Sequence, residues 1–280
     1  MTRKGAVPTP RMLACVVLAA LIISAVLAGL MLPLDPSGIN LSRAWDGPSP
    51  AHPCGRDGLG RDMLARLLTG TRVSLGIALA SLGCALAVGV SVGSLAGWYG
   101  GRTDAAVMRG VDLMMGLREL ALAIAVAAFV GPGTSAVILI LGLGWSPPLI
   151  RFVRSLVLVQ CGHAYVLAAT ALGAPPRHVL STHILPNIAG PVAVRGAAII
   201  GPMVQTEAAL SFLGIGVQDP SISLGTLIRD GLSGLHGGPQ VIVATTAMVF
   251  LVALTFTLLA DELRDLLDPR CQSIGRPDRP

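Results

Sequence analysis

The chain has 280 residues, of which 53% are hydrophobic and only 12% are charged. A soluble domain carries about twice that charged fraction, so the composition excludes a soluble globular protein and predicts a membrane protein. The net charge is +5, but only 4% of the residues are aromatic and the basic residues lie at the ends of apolar runs, so no nucleic-acid surface is predicted. The single lysine is Lys4, so the chain has no phosphate-binding loop and any ATP chemistry must come from a partner.

Apolar runs predict an all-α membrane protein with six transmembrane helices. After a cytoplasmic N-terminus of residues 1–11, the uncharged run 12–32 is about 31 Å long as a helix and is the first predicted span, with a cleaved signal peptide as the rival interpretation. Residues 33–72 are predicted to form an extracytoplasmic segment, residues 73–260 a five-helix core, and residues 261–280 a cytoplasmic tail. The five further spans are predicted at 73–101, 111–130, 135–150 (interrupted by Pro147 and Pro148), 188–217 and 241–260.

The basic residues favour one orientation of these spans. With the N-terminus inside, twelve of the twenty basic residues fall in cytoplasmic segments and six in outer segments. Residues 151–187 contain three arginines and no acidic residue, so they are predicted to be cytoplasmic. The positive-inside rule therefore predicts that both termini are cytoplasmic.

Two patterns that resemble catalytic or metal motifs have simpler explanations. Gly89-Val90-Ser91-Val92-Gly93 matches the nucleophile elbow of hydrolases, but it lies inside a predicted span and no histidine lies within a span. Gly89, Gly93 and Gly97 recur every four residues, which predicts a face for close helix packing. No two histidines of the segment 151–187 have the i, i+4 spacing of paired ligands, so no metal site or catalytic residue is predicted.

Four charged residues lie in or beside the predicted spans: Arg118, Glu119, Arg195 and Glu207. A charge in the middle of a bilayer is unfavourable by roughly 2.5–3.5 kcal/mol on insertion scales, so these side chains should face protein, water or the interface. They are candidates for a polar translocation path, and a structural ion pair or a position at headgroup depth is the alternative.

The segment 151–187 has the pattern of a docking element. A short helix is predicted at 165–172 because Gly173, Pro175 and Pro176 follow it. A rigid helix with small side chains on the cytoplasmic side of a bundle suits docking into a groove of a partner protein, and an ordinary amphipathic connector is the alternative.

Four ordered motifs stand out along the chain. In chain order they are residues 55–75, with Gly-Arg-Asp at 60–62, the set Ala168, Ala169, Gly173, Leu185 and Pro186, residues 206–216, and residues 263–270. Together they resemble the permease subunits of binding-protein-dependent ABC importers, specifically the second permease of the dipeptide, oligopeptide and nickel branch, and the set from Ala168 to Pro186 stands at the spacings of that family's coupling loop. The resemblance covers most of the chain, from about residue 54 to residue 270.

This resemblance implies a permease of the type I ABC importer fold, located in the bacterial inner membrane. It also implies a cytoplasmic coupling helix in the loop 151–187, between the fourth and fifth transmembrane helices. The implied partners are a second homologous permease, two cytoplasmic ATPase subunits that bind ATP and Mg²⁺, and an extracytoplasmic substrate-binding protein. The chain itself would bind no cofactor. Peptides are the implied cargo, followed by nickel or another small solute. The implied ATPase-coupling residues are Tyr165, Leu167, Ala168, Ala169, Gly173, Leu185 and Pro186.

The sequence departs from the family pattern at three places. Leu167 replaces the family's glutamate, which removes a charge from the start of the coupling helix. Leu117 and Arg118 stand where Phe-Pro is usual, and Arg195 stands where the family tends to be uncharged. An arginine that faces the path could hold a carboxylate of the cargo. The alternative function is a stand-alone secondary transporter or channel, which usually has an internal inverted repeat, and no such repeat is seen.

Overall fold

The structure is a computed structural model, and it describes residues 35–117, 119–235 and 238–267. The side chains of residues 119, 120, 266 and 267 are outside that description. Three sequence predictions therefore lie outside the described residues: the N-terminus with the first span at 12–32, the side chains of Arg118 and Glu119, and the tail beyond residue 267.

The described residues are predominantly helical, and they contain only isolated bridges in place of β-strands. The helices are α1 (Met63–Tyr99), α2 (Gly101–Gly116), α3 (Glu119–Val130), α4 (Thr134–Cys161), α5 (Ala164–Ala171), α6 (Pro176–Phe212), α7 (Leu224–Leu232) and α8 (Gln240–Leu267). Helix α6 contains a π-helical turn from Val179 to Ile184.

Four of the described helices, α1, α4, α6 and α8, are long and apolar enough to cross a membrane. Helices α2 and α3 are bent by 97° at the break between them, and they add a fifth span if they are counted as one. The all-α class with multiple spans is therefore confirmed for the described residues. The number of six spans and the orientation stay predictions, since residues 12–32 are outside the described part.

Helix α1 begins ten residues before the uncharged run that predicted it. Asp62 caps the helix, because its Oδ1 accepts a hydrogen bond from the backbone N–H of Leu64 at 2.9 Å. The first turns include Arg66 and Arg72, so an apolar-run criterion excludes them. The predicted extracytoplasmic segment 33–72 therefore ends in helix from Met63 onward.

One predicted interruption and one span that was predicted as continuous differ from the structure. Pro147 and Pro148 do not break the fourth span, because α4 continues through both of them for 28 residues. Proline is tolerated inside transmembrane helices when neighbouring groups satisfy the freed backbone carbonyls. Here Ser146 Oγ donates to the Leu143 carbonyl at 2.9 Å. The third predicted span is instead divided, since Leu117 adopts an extended conformation with ψ 130°.

The described chain divides into two compact units. In the first unit, which includes residues up to 75, 197–212 and 219 onward, the segment before α1 folds around Trp45. A Cβ added at Gly58, Gly234 or Gly238 would lie 2.5, 1.9 or 2.4 Å from an atom of the Trp45 ring. Only glycine leaves room for the ring at these three positions. The Trp45 ring therefore packs the segment before α1 against Gly234 and Gly238, which precede α8.

The second unit contains residues 76–196 and 213–218. Its core between α1 and α4 depends on very close backbone approach, described below. Two ion pairs join α2 to α4, one between Arg151 and Asp112 and the other between Arg154 and Asp104. These pairs place carboxylates of α2 against the arginines of α4.

Candidate functional site

The predicted coupling loop, residues 151–187, begins as helix, because residues 151–161 are the last turns of α4. His163 adopts an extended conformation before α5, which runs from Ala164 to Ala171, close to the predicted 165–172. Gly173 then takes a φ of +81°, a left-handed conformation that favours glycine and ends the helix. Pro176 is the first residue of α6, where its missing N–H is tolerated.

An apolar cluster holds α5 against its neighbours. Val166 on α5 is buried, and it belongs to a cluster that contains Val153 and Val157 of α4 together with Val179 and Ile184 of α6. Two of the predicted coupling residues, Ala169 and Leu185, are partly buried against this cluster. A third, Pro186, is exposed.

Tyr165 links the two helices that flank α5. Its hydroxyl donates to Gln160 Oε1 in the last turn of α4 and accepts a hydrogen bond from Asn187 Nδ2 of α6 at 3.1 Å. Its ring lies 5.8 Å from the ring of His163 and 6.2 Å from the ring of His183, measured between centroids. One side chain of α5 therefore contacts both flanking helices.

The π-helical turn at Val179–Ile184 was not predicted from the sequence. A π turn bonds each residue to the fifth one along, and such turns are frequent at functional sites. It brings His178 and His183, five residues apart, to a ring separation of 5.8 Å. The feature of the sequence that relates to this π turn is the spacing of five residues between His178 and His183, because α-helical neighbours are three or four residues apart.

The outer face of α5 is apolar and exposed. Leu167 is 56% exposed and Leu172, directly after the helix, is 88% exposed, while Ala168 is also exposed. Exposed large apolar side chains beside a rigid backbone are typical of a surface that a partner covers. The arrangement is a short, fixed helix with a buried apolar inner side and an apolar outer side.

The candidate path residues do not share an environment. Arg195 is exposed on α6, whereas Glu207, twelve residues later and about 18 Å farther along a straight helix, is 0% exposed. Ser211 Oγ donates to Glu207 Oε1 at 2.7 Å. The carboxyl of Glu207 therefore points into the protein.

The three glycines at 89, 93 and 97 lie against α4. A Cβ added to Gly89 would lie 2.8 Å from the Leu149 Cβ, and one added to Gly93 would lie 2.7 Å from the Ile150 carbonyl oxygen. One added to Gly97 would lie 2.9 Å from the Val157 Cβ. Real Cβ atoms do not approach other atoms so closely, so these positions require glycine.

The family model and three similar proteins that match this chain all describe components of transport systems. Residues 89–273 match the family described as "Binding-protein-dependent transport system inner membrane component". The chain is 36% identical over 244 residues to a glutathione transport system permease protein, GsiD, of Pectobacterium atrosepticum, covering 87% of this chain and 81% of the relative. It is 35% identical over 236 residues to a probable D,D-dipeptide transport system permease protein, DdpC, of Escherichia coli, covering 84% and 79%. It is also 34% identical over 260 residues to the oligopeptide transport system permease protein OppC of Bacillus subtilis, covering 92% and 85%.

The fold also matches a solved structure. A chain of the MetNI methionine ABC transporter in an inward-facing conformation superposes with a TM-score of 0.60 at 19% identity, covering 74% of this chain and 98% of that chain. At this identity the likeness concerns the fold alone.

Proposed function

The chain belongs to the family of binding-protein-dependent transport system inner membrane components, and we propose that it forms, with a second homologous permease, the path by which a di- or oligopeptide enters the cell. It is a multi-pass permease subunit of the bacterial inner membrane. The peptide-permease and glutathione-permease relatives at 34–36% identity support the choice of cargo. The observation that carries the proposal is the family match over residues 89–273.

ATP would be hydrolysed, with Mg²⁺, by two cytoplasmic ATPase subunits, and an extracytoplasmic protein would deliver the cargo. Closure of the ATPases would displace α5, and the permease pair would rock between inward-open and outward-open states. The support for α5 as the contact is its exposed apolar outer face together with its links to α4 and α6 through Tyr165. The family glutamate is absent at Leu167, so this contact would depend on apolar packing more than on charge.

The test of this mechanism is a Leu172→Asp variant in the complete importer, reconstituted in vesicles with its binding protein. Leu172 is 88% exposed, so the change leaves the fold intact but places a charge in the ATPase contact. We expect substrate-stimulated ATP hydrolysis and uptake to fall about tenfold or more, with basal hydrolysis retained. Leu41→Asp, at another exposed leucine 67% accessible in the segment before α1, is the matched control. Uptake by the chain alone, without ATPase or ATP, would instead support a stand-alone transporter.

We also propose that Arg195 binds a carboxylate of the cargo. It is exposed on the membrane-spanning helix α6 and forms no ion pair among the described residues. Arg195→Ala should reduce uptake of peptides with a free C-terminus relative to amidated peptides, and Arg195→Lys should retain part of that preference. Arg72→Ala, at an exposed arginine of α1, is the control. Arg118→Ala tests the other predicted path arginine in the same assay, and an unchanged cargo preference in both alanine variants refutes this role.

A further inference from the structure

Glu207 is a fully buried carboxyl group that has no ionic partner among the described residues. It is 0% exposed, and its Oε1 accepts a hydrogen bond from Ser211, while no described residue hydrogen-bonds its Oε2. In the parts of the chain that the structure describes, no arginine, lysine or histidine forms an ion pair with it. An isolated negative charge in a low-dielectric interior is strongly unfavourable, so this carboxyl requires a neutralising group.

Three serine hydroxyls surround the carboxyl. Ser74 on α1, Ser211 on α6 and Ser223 at the start of α7 all lie beside Glu207, and each of them is 0% exposed. Carboxylate and hydroxyl oxygens are the ligands that small hard cations prefer. The cluster therefore provides oxygen ligands of this kind from three different chain segments, together with one negative charge.

These three segments also approach one another closely at this place. A Cβ on Gly225 of α7 would lie 2.2 Å from the Ala208 carbonyl oxygen of α6, and one on Gly70 of α1 would lie 3.2 Å from Leu227 Cδ1. Ser74 Oγ also accepts the backbone N–H of Leu224 at 3.1 Å. Residues 70–74, 207–211 and 223–227 thus form one tightly packed junction.

The charged groups on the surrounding helices do not neutralise Glu207. On α1, Arg66 is engaged by Asp57 and Asp230, and Arg72 is exposed. On α7, Arg229 and Asp230 are partly exposed. On α8, the charged residues are confined to its C-terminal turns, from residue 261 onward, and on α6 the other charged residues are Arg177 and Arg195, at least twelve residues away.

We propose that Glu207 and the hydroxyls of Ser74, Ser211 and Ser223 form a buried binding site for a monovalent cation, either a proton or an ion of the size of Na⁺, that holds α1, α6 and α7 together. The site lies inside one chain and needs neither the ATPase nor the cargo. The inference therefore goes beyond the transport function and is independent of it. It also assigns Glu207 to a structural cation site in place of the translocation path.

The experiment uses the complete importer in lipid nanodiscs and two measurements on each variant. Infrared difference spectra between the wild type and Glu207→Gln report a protonated carboxyl through its C=O stretch, which shifts in D₂O. Thermal unfolding in NaCl is compared with unfolding in N-methyl-D-glucamine chloride at the same pH and ionic strength. Glu262→Gln, at a partly exposed carboxyl of α8, is the matched control and should change neither measurement.

The outcomes separate the two cations. A C=O band that Glu207→Gln removes, with no effect of Na⁺, identifies the proton. Stabilisation by Na⁺ that Glu207→Gln removes, with no C=O band, identifies the metal ion. If neither signal depends on Glu207, the group is an ionised carboxylate without a bound cation and the proposal is wrong. Ser211→Ala and Ser223→Ala retain the carboxyl, and each should shift the band or weaken the Na⁺ effect, which keeps the test valid if Glu207→Gln does not assemble.

Discussion

The carboxylate of Asp57 accepts hydrogen bonds from four donor groups on three residues. The donors are the backbone N–H of Leu59 and Arg61, Arg61 Nε at 2.7 Å, and Arg66 Nη1. Arg66 also donates to Asp230 of α7 at 3.1 Å. Asp57 and Arg66 are each 3% exposed, so this is a buried ion-pair network that joins the segment before α1 to α1 and α7. It brings together Asp57, Arg61 and Arg66, which all belong to the motif at residues 55–75.

Asp57→Asn should destabilise this network. The change removes one partner of a buried pair, which typically lowers stability by about 3–5 kcal/mol, and the remaining pair with Asp230 should bring the loss to the lower end. Faster hydrogen exchange across residues 55–62 and a lower unfolding temperature are the measurements. Asp46→Asn, at an exposed carboxylate of the same segment, is the control, and equal effects of the two changes would contradict the assignment.

The same network should respond to acid. Burial acts to raise the pKa of Asp57, but hydrogen bonds from the Arg61 backbone and side chain and the charges of Arg66 and Arg61 outweigh it and hold the pKa below its usual value. The stabilisation is therefore complete above the pKa of an unfolded aspartate, about 3.9, and is lost as the pH falls through the lower folded pKa. The protection of residues 55–62 from hydrogen exchange, relative to the intrinsic exchange rate at each pH, should fall only in that acidic range, and a fall already between pH 7 and pH 5 would contradict this.

At the scale of the helices, Gly93→Ala should weaken the packing of α1 on α4. The new Cβ would lie 2.7 Å from the Ile150 carbonyl oxygen and 2.9 Å from the Val153 Cβ, so the backbone must move apart. Overpacking of this kind lowers stability by about 1–3 kcal/mol. The check is the unfolding temperature of the purified importer.

Gly83→Ala is the control for that change. Gly83 lies on the same helix with nothing within 4 Å of an added Cβ. Alanine is favoured over glycine in a helix by about 0.5–1 kcal/mol, so this variant should be unchanged or more stable. An equal loss in both variants would show that helix packing is not the reason.

Tyr165→Phe should loosen the connection between α5 and its flanking helices. The change removes the hydroxyl that joins Gln160 to Asn187 and leaves the ring in place. A hydrogen bond contributes about 0.5–1.5 kcal/mol net, so we expect substrate-stimulated ATP hydrolysis to fall by a factor of about two to ten while basal hydrolysis is retained. Tyr99→Phe, at an exposed tyrosine of α1, is the control. If both variants behave alike, the hydroxyl does not transmit the movement.

The sequence predicted these helices unequally well, for physical reasons. Run length and residue spacing place the centres of α1, α4, α6 and α8 and the short helix α5, because hydrophobicity and terminating glycines are local properties. The start of α1 was missed because Arg66 is neutralised by residues on other segments, which no local pattern reveals. The π turn of α6 was missed for the same reason, and the sequence left open whether Glu207 faces protein, water or the interface, since both depend on tertiary packing.

At the scale of the whole molecule, the single chain leaves much apolar surface for other molecules to cover. Phe129, Leu113 and Leu172 are among its large apolar side chains with more than three-quarters of their surface exposed. Phe129 and Leu113 belong to the helices that form the bent pair, where we propose that lipid or a second permease covers the apolar surface. Leu172 belongs to the coupling loop, where we propose that an ATPase covers it. These exposed apolar side chains are therefore the ones that we expect lipid and the proposed partner subunits to cover.

The orientation of the chain gives the last prediction. The segment 151–187 has three arginines and no acidic residue, so the positive-inside rule places it in the cytoplasm and the segment before α1 outside. In a cysteine-free background, a membrane-impermeant maleimide should label Gly47→Cys in intact cells, since nothing lies within 4 Å of an added Cβ there. Ala171→Cys, at the exposed end of α5, should be labelled only after the membrane is permeabilised. Labelling of Ala171→Cys in intact cells would place α5 outside, and it could then not contact a cytoplasmic ATPase.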